Sequence, residues 1–167
     1  DAAKKLISIA SSRLQSTSYD ININNLEYDK FSSTFPYVET DDQLNAIQDV
    51  INDFSKQIPS DRLIVGDVAF GKTEVILRAI FLAAKSKLQS VVLVPTTILA
   101  RQHFNNFKKR LAIFGIEVSQ VSRLISLKEK KEIFDNCYKG KIDVLVGTHA
   151  WLSDKLKFNK LGLIVYD

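Results

Sequence analysis

The spacing of hydrophobic positions along the chain changes several times, and each spacing predicts one type of secondary structure. Helical stripes of apolar residues run through 1–15, 44–54, 73–87, 97–114 and 127–138. Thr40 or Asp41 is placed to cap the second of these helices. Short apolar runs of strand length occur at RLIVG, SVVLVP, IDVLVG and LGLIVYD. Strands that alternate with helices predict an α/β fold with a parallel β-sheet flanked by helices.

The first part of the chain looks different from the rest. Residues 16–34 are polar and lack a clean period, so we predict a linker or surface loop there. We therefore expect an N-terminal helix and linker at 1–34, followed by a main domain at 35–167. No apolar run approaches the roughly 20 residues needed to cross a membrane, so we expect no membrane partner. The single cysteine, Cys137, fits a reducing cytoplasm.

Charge is distributed unevenly between the two halves of the chain. Residues 84–167 hold 15 Lys/Arg and 7 Asp/Glu, whereas residues 1–83 hold 8 and 12. The resulting net charge of +8 in the second half favours a polyanionic partner, but a solvated surface explains it equally well. The basic run at 108–110 is predicted to be a solvated helix face.

A phosphate-binding loop is the strongest chemical motif in the chain. The segment GDVAFGKTEV matches G-x-x-x-x-G-K-[ST] at Gly66, Gly71, Lys72 and Thr73, between a predicted strand and a predicted helix. Its backbone N–H groups and the helix N-terminus would face phosphate oxygens. We expect Lys72 to reach the β- and γ-phosphates and Thr73 to bind Mg²⁺. Asp167 ends the last apolar run, where a phosphate loop needs an acid for the metal.

Six segments follow one another in a fixed order: FPYVETDDQ, GDVAFGKTE, VLVPTTILARQH, VSR, VGTHAWL and LGLIVYD. In this order they resemble the motifs of the first RecA-like motor lobe of superfamily-2 helicases and translocases. More narrowly, the chain resembles the bacterial transcription-repair coupling factors. GKTEV and the Ser122–Arg123 pair favour that group over the related branch-migrating recombination helicases. The resemblance implies a RecA-like P-loop domain over 35–167, which stops at the Walker B strand.

The resemblance also implies roles at a site for ATP and Mg²⁺. Phe35 would stack on the adenine, unless it is a core anchor, and Gln43 would hydrogen-bond to the edge of the base. The remaining nucleotide contacts would come from Gly66, Asp67, Val68, Ala69, Phe70, Gly71, Lys72, Thr73 and Glu74. Lys72 and Asp167 would be the catalytic groups, and Thr73 and Asp167 would be the metal ligands.

A second set of positions matches the family's DNA-contact motifs. They are Thr96, Thr97, Arg101, Gln102, Arg123, Gly147, Thr148 and His149. Hydroxyl, amide and guanidinium groups suit phosphate contacts, which position a protein on DNA without reading its sequence. For His149 a structural hydrogen bond is an equal alternative. His103, at helical spacing with Phe104 and Phe107, is predicted to be structural.

The implied function is that of an ATP-driven translocase on double-stranded DNA. Such a protein displaces stalled RNA polymerase and recruits excision repair in the cytoplasm, through domains outside this chain. The present chain is expected to be a monomeric first lobe without ATP turnover of its own. A branch-migrating recombination helicase and a module that binds nucleotide and DNA without turnover are alternatives. An unrelated P-loop kinase or GTPase is a third, against which PTT, GTH and the lack of Asn-Lys-x-Asp argue.

Overall fold

The computed structural model describes residues 2–21, 24–56, 58–67, 71–122, 125–151 and 156–167. Its elements, in chain order, are α1 (Ala2–Gln15), α2 (Asn25–Ser32), α3 (Asp41–Phe54), α4 (Lys72–Lys85), β1 (Gln89–Val94), α5 (Thr97–Leu111), β2 (Val118–Val121), α6 (Leu127–Tyr138), β3 (Val144–Thr148) and β4 (Leu161–Tyr166). Short 3₁₀ helices lie at Ala112–Phe114 and His149–Trp151. Within the described ranges, no helix combines the length and the apolar character that a membrane span requires.

The four strands form one sheet in the order β2-β3-β1-β4, and every pairing in it is parallel. The register sets Val94 of β1 beside Thr148 of β3, and Leu93 of β1 beside Tyr166 of β4. Because the strands are parallel, the segments that follow them meet at one edge of the sheet. This confirms the predicted parallel sheet, and it brings the predicted motifs to the edge where ligands bind in such folds.

Both faces of the sheet are covered, because side chains of a strand alternate between faces. Val92 and Val94 of β1 belong to a core cluster built with α4 and α5. Val91 and Leu93 belong to a second cluster with α6 and the segment that precedes β4. All six residues of β1 are buried. The predicted arrangement of helices around a buried sheet is therefore confirmed.

The predicted linker at 16–34 is wrong for residues 25–32, which form helix α2. Phe31 of α2 is fully buried and stacks on Phe81 of α4, with ring centroids 4.3 Å apart and planes 3° from parallel. Asn24 caps the helix by accepting a hydrogen bond from the backbone of Glu27. The helix has only 8 residues and one fully buried aromatic, so its sequence carries no extended stripe. The domain boundary after residue 34 stays a prediction.

The prediction of a strand at RLIVG is also wrong. Residues 61–67 have no regular secondary structure, and Leu63 and Val65 are 87% and 86% exposed. An apolar run becomes a strand only when a neighbouring strand pairs with its backbone, and none of the described strands pairs with this one. Conversely, β2 was not predicted, because it is a four-residue edge strand whose middle positions, Ser119 and Gln120, are polar.

Candidate functional site

The predicted phosphate site has two halves, and the first is built from loops at the start of α3 and α4. We call residues 40–43, 62–67 and 71–73 the loop half. Gly71 caps α4 in the left-handed region, with φ of 70°. The ammonium group of Lys72 donates hydrogen bonds to the carbonyl oxygens of Gly66 at 2.5 Å and Asp67 at 2.9 Å. Lys72 therefore joins the two described ends of the motif at the N-terminus of a helix, where anions bind favourably.

Gln43 joins the start of α3 to the start of α4. It forms a capping box with Thr40, in which the backbone of Gln43 donates to Thr40 Oγ1 and Gln43 Oε1 accepts from the backbone of Thr40. Its Nε2 also makes a long contact of 3.4 Å with the carbonyl of Gly71. Thr40 and Gln43 line a cleft of about 540 Å³ together with Gly66 and Lys72. Four predicted nucleotide contacts therefore face one cavity: Gln43, Gly66, Asp67 and Lys72.

Ion pairs attach the irregular segment 61–67 to helix α3. Arg62 donates to Asp49 at 2.9 Å and also to Asp53. Asp53 is buried and accepts a second bond from Lys56 at 2.7 Å. The hydrogen bond from Arg62, with help from Lys56, lowers the pKa of Asp53 to about 2. The loop half is thus held by side-chain contacts and not by a strand ladder.

The second group of predicted site residues lies at the carboxyl edge of the sheet, and none of its members lines the cleft of the first group. We call residues 95–97, 147–149 and 167 the sheet half. Thr96 follows β1 and caps α5 by accepting from the backbone of Leu99 at 3.2 Å. Thr148 ends β3 in a buried position, and the ring of the exposed His149 lies 5.9 Å from that of Tyr166. The strands fix these positions, because each follows a buried and paired segment.

Asp167 directly follows β4 at the same edge. Its backbone N–H donates to the carbonyl of Leu93 at 3.0 Å. Its carboxylate Oδ2 lies 2.6 Å from Nε2 of His103, which is on α5 and only 4% exposed. The side chain of Asp167 is 23% exposed, so it remains accessible from the edge of the sheet.

The oxygen donors of the site fit Mg²⁺ bound together with a nucleotide. Among the described residues there is no group of three or more His, Cys, Asp or Glu side chains that could hold a metal. Mg²⁺ in nucleotide sites takes only one or two oxygens from the protein and is otherwise bound by water and phosphates. The hydroxyl of Thr73 and the carboxylate of Asp167 are donors of this kind.

Glu74 was expected to contact nucleotide, but its side chain lies in a buried ion-pair network. It is 2% exposed, and its carboxylate accepts hydrogen bonds from Arg78 at 2.6 Å and from Arg110. Arg78 also donates to Ser32 at 2.6 Å and to Glu39. This buried ion-pair network joins α2, α4 and α5. The prediction that Arg110 lies on a solvated face is wrong, because its side chain is 12% exposed and is bonded within the network.

Phe35 does not line the cleft that holds Gln43 and Lys72. Its ring lies edge-on to Tyr37, with centroids 5.6 Å apart, and the guanidinium of Arg110 is 5.6 Å from its centre. Its role as an adenine contact stays a prediction. Among the positions predicted to bind DNA, Arg101 and Gln102 are exposed on the first turns of α5, whereas Gly147 and Thr148 are buried. The predicted site residues Val68, Ala69, Phe70 and Arg123 lie outside the described residues.

Sequence reasoning missed two side-chain pairs that shape the site. The Glu74–Arg78 spacing of four residues in a helix was a signal for an ion pair. His103 was predicted to be structural, and it does lie on the buried side of α5 with Ala100 and Phe107. Its contact with Asp167 joins residues 64 positions apart, and no local pattern reveals such a pair.

Comparisons with known proteins identify relatives of this chain. The transcription-repair-coupling factor of Haemophilus influenzae is 44% identical over 167 residues, which are all of this chain and 15% of that protein. The factor of Rickettsia conorii is 45% identical over 171 residues, and that of Escherichia coli is 41% identical over 167 residues. The chain spans about 15% of the length of these relatives. The predicted resemblance to this group is confirmed.

Solved structures of other proteins share the fold of this chain. A structure of RecG bound to a three-way DNA junction matches 94% of this chain and 22% of that chain, with a TM-score of 0.86 and 32% identity. A hypothetical ATP-dependent RNA helicase from Sulfolobus tokodaii has a TM-score of 0.56 and 17% identity, which supports the fold alone. The model of the DEAD/DEAH box helicase family matches residues 40–167. Since this match covers most of the chain, including both halves of the site, the chain belongs to the DEAD/DEAH box helicase family.

Proposed function

We propose that the chain is the ATP-binding motor lobe of a double-stranded DNA translocase. In the whole protein, this activity displaces stalled RNA polymerase and couples transcription to excision repair in the cytoplasm. RNA polymerase and repair proteins would bind through regions outside this chain. The observation that carries the proposal is the phosphate loop at the start of α4, where Gln43, Gly66, Asp67 and Lys72 face one cleft. Identity of 41–46% to transcription-repair-coupling factors over nearly all of the chain supports the specific function.

The residues of the loop half would bind the phosphates of ATP. Lys72 is held by two neutral carbonyl oxygens, and an anionic phosphate oxygen is a stronger acceptor for an ammonium group. We therefore expect Lys72 to exchange these contacts for phosphate contacts when nucleotide binds. The N–H groups at the start of α4 would donate to the same phosphates. Bound Mg²⁺ would neutralise negative charge on the transferred phosphoryl group, and Thr73 and Asp167 would hold it.

Duplex DNA would lie across the exposed start of α5 and the residues after β3. Arg101, Gln102 and His149 are exposed there, and the half of the chain that contains them carries a net charge of +8. Binding through phosphates would be independent of sequence and steeply dependent on salt, because each neutralised phosphate releases counterions. We expect Arg101→Ala to weaken binding to all duplex sequences alike and to reduce the salt slope by about 1. Affinity that depends on base sequence would contradict this interface.

The decisive experiment measures ATP hydrolysis by the full protein, with and without duplex DNA. We expect turnover that DNA stimulates and that Lys72→Ala abolishes. Lys128→Ala is the matched control, since Lys128 is an exposed lysine on α6 and lies outside both halves of the site. Equal turnover in the wild type and in Lys72→Ala would contradict the assignment of the phosphate site.

A branch-migrating recombination helicase is the second candidate, and the RecG structure at a TM-score of 0.86 favours it as an alternative. Displacement of stalled RNA polymerase by the full protein supports the first candidate. Remodelling of a three-way DNA junction without such displacement supports the second. That the isolated lobe binds nucleotide and DNA without turnover stays a prediction, which the same assay on the 167-residue chain tests.

A further inference from the structure

The buried face of helix α5 contains one ionisable residue that reaches the sheet half. His103 lies on this face between Ala100 and Phe107, both of which are fully buried. Its ring centroid lies 5.1 Å from that of Phe107 at a tilt of 30°. Its Nε2 points at the carboxylate of Asp167 at 2.6 Å. The ring is therefore fixed by packing on one side and by a hydrogen bond on the other.

The direction of this hydrogen bond follows from the chemistry of the two groups. An ionised carboxylate has only acceptor atoms, so Nε2 of His103 must carry the hydrogen and donate it to Oδ2 of Asp167. The strand pairing fixes the backbone of Asp167 through its bond to Leu93. It does not fix the rotation of the carboxylate about the side-chain bonds. His103 supplies that restraint, and Oδ1 remains for other ligands.

Helix α5 also carries the residues proposed to meet DNA. Arg101 and Gln102 are exposed on this helix immediately before His103, and Thr96 caps its first turn. If DNA binding shifts α5, the ring of His103 shifts with it, because a helix moves as a unit over so short a distance. The hydrogen bond would then carry that shift to the carboxylate of Asp167.

We propose that His103 is a positioning residue of the nucleotide site, which orients the Asp167 carboxylate for Mg²⁺ and ties that orientation to helix α5. The proposal rests on the function proposed above for this site. It makes His103 a link between the DNA-facing helix and the metal ligand.

The test measures binding of a fluorescent ADP analogue to the full protein as free Mg²⁺ is varied, which needs no catalysis. His103→Phe keeps an aromatic ring against Phe107 and removes the donor. His103→Asn carries a shorter amide that does not reach Asp167, and it replaces His103→Phe if that variant does not fold. His103→Gln places an amide donor near the position of Nε2. Phe107→Leu weakens the packing of the same buried face without touching Asp167, so it is the control for stability.

We define the Mg²⁺ midpoint as the free Mg²⁺ concentration at which binding of the analogue is half-maximal. We expect this midpoint to rise about 10-fold in His103→Phe, as is typical when the partner of a metal ligand is removed. His103→Gln should recover most of this loss, whereas Phe107→Leu should lower the melting temperature and leave the midpoint unchanged. Duplex DNA should shift the midpoint of the wild type and leave that of His103→Phe in place. An unchanged midpoint in His103→Phe, or an equal rise in Phe107→Leu, overturns the positioning role. A DNA shift that persists in His103→Phe overturns the link to α5.

Failure of the underlying function gives a different result. Analogue binding that is absent from the wild type, or that is unaffected by Lys72→Ala, overturns both proposals. A different result overturns only the inference about His103. In that case the wild type binds the analogue, Lys72→Ala does not, and His103→Phe has the same Mg²⁺ midpoint as the wild type.

Discussion

The loop half and the sheet half of the site differ in what holds their backbone in place. Most of the sheet half lies at the ends of β1 and β3, in which every residue is buried and paired with a neighbouring strand. Asp167 follows β4, which is paired with β1 but partly exposed. The loop half includes residues 62–67, where Leu63 and Val65 are largely exposed and no strand forms. Its anchors are the ion pairs of Arg62, the capping box of Thr40 and Gln43, and the bonds of Lys72.

This difference indicates which half the core arranges and which half depends on polar contacts. Positions after buried strands are fixed by the same packing that stabilises the fold. Contacts between side chains near solvent contribute little each, so segments built on them open at low cost in free energy. We therefore expect the loop half to rearrange around phosphate, while the sheet half keeps its geometry.

The largest effect should come from adding a side chain at Gly71. Its φ is +70°, and a Cβ there would lie 2.1 Å from Nε2 of Gln43, which would have to move away. We expect Gly71→Ala to lower the free energy of unfolding by about 1–2 kcal/mol through left-handed strain. Nucleotide affinity should fall about 10-fold, equivalent to one lost hydrogen bond. Chemical denaturation and nucleotide titration measure the two effects.

Gly115 provides a matched control for this change. Its φ is +71°, and a Cβ there would meet no atom within 4 Å. Gly115→Ala should therefore have a similar cost in stability and leave nucleotide binding unaltered. Equal loss of nucleotide affinity in both variants would show that the approach of Gln43 to Gly71 has no part in binding.

An intermediate effect is expected from the anchor of segment 61–67 on helix α3. The pKa of Asp53 is lowered from 3.8 to about 2, chiefly by its bond from Arg62. A lowered pKa stabilises the fold above the unfolded value, and this stabilisation is lost as the pH falls through about 4 towards about 2. We expect Asp53→Asn to cost about 1–2 kcal/mol near neutral pH.

That cost should shrink as the pH falls through this window, because the wild type loses the ionised carboxylate that the variant already lacks. Denaturation curves of both proteins at several pH values measure it. Asp49→Asn is the control, since Asp49 pairs with the same arginine but is well exposed, and it should change stability little. If the difference in free energy of unfolding between wild type and Asp53→Asn stays constant with pH, the proposed role of the Arg62–Asp53 ion pair is contradicted.

The smallest effect should come from the helix cap in the loop half. Thr40→Ala removes the hydroxyl acceptor of the capping box of α3, and Ser126→Ala removes the equivalent hydroxyl at α6, which lies outside both halves of the site. Each should cost about 1 kcal/mol of stability. Only Thr40→Ala should also weaken nucleotide binding, because it removes the acceptor of the Gln43 backbone N–H and so loosens the first turn of α3, which presents Gln43 to the cleft. Thermal denaturation and nucleotide titration compare the pair, and equal binding in both variants would argue against a role for Gln43.

The sequence was sufficient to predict the elements whose hydrophobic pattern extends over many residues. Buried strands such as β1 and stripes such as that of α6 give a pattern over many residues, and the structure confirms both. The phosphate loop was identified because its glycines, lysine and threonine lie within 8 residues of each other. Local motifs of this kind depend little on the rest of the chain.

The parts that failed depend on contacts between distant residues. RLIVG has the composition of a strand, but pairing with another strand decides whether it becomes one, and none of the described strands pairs with it. Phe31 anchors α2 through Phe81, which lies 50 positions later. Glu74 follows the nucleotide motif directly in sequence, but its carboxylate forms an ion pair with Arg110 from another helix. Such partners follow from the tertiary fold and have no local pattern.

Hydrogen exchange of backbone amides, with and without Mg-nucleotide, tests the central claim most directly. At a nucleotide concentration about a hundred times its dissociation constant, bound amides should be protected by up to about 100-fold. We predict this protection at Gly71–Thr73 in the loop half, little change in β1 and β3, and no protection in Lys72→Ala. Exchange that is unchanged at Gly71–Thr73 would contradict the account of a phosphate site that forms around nucleotide at the edge of a fixed sheet.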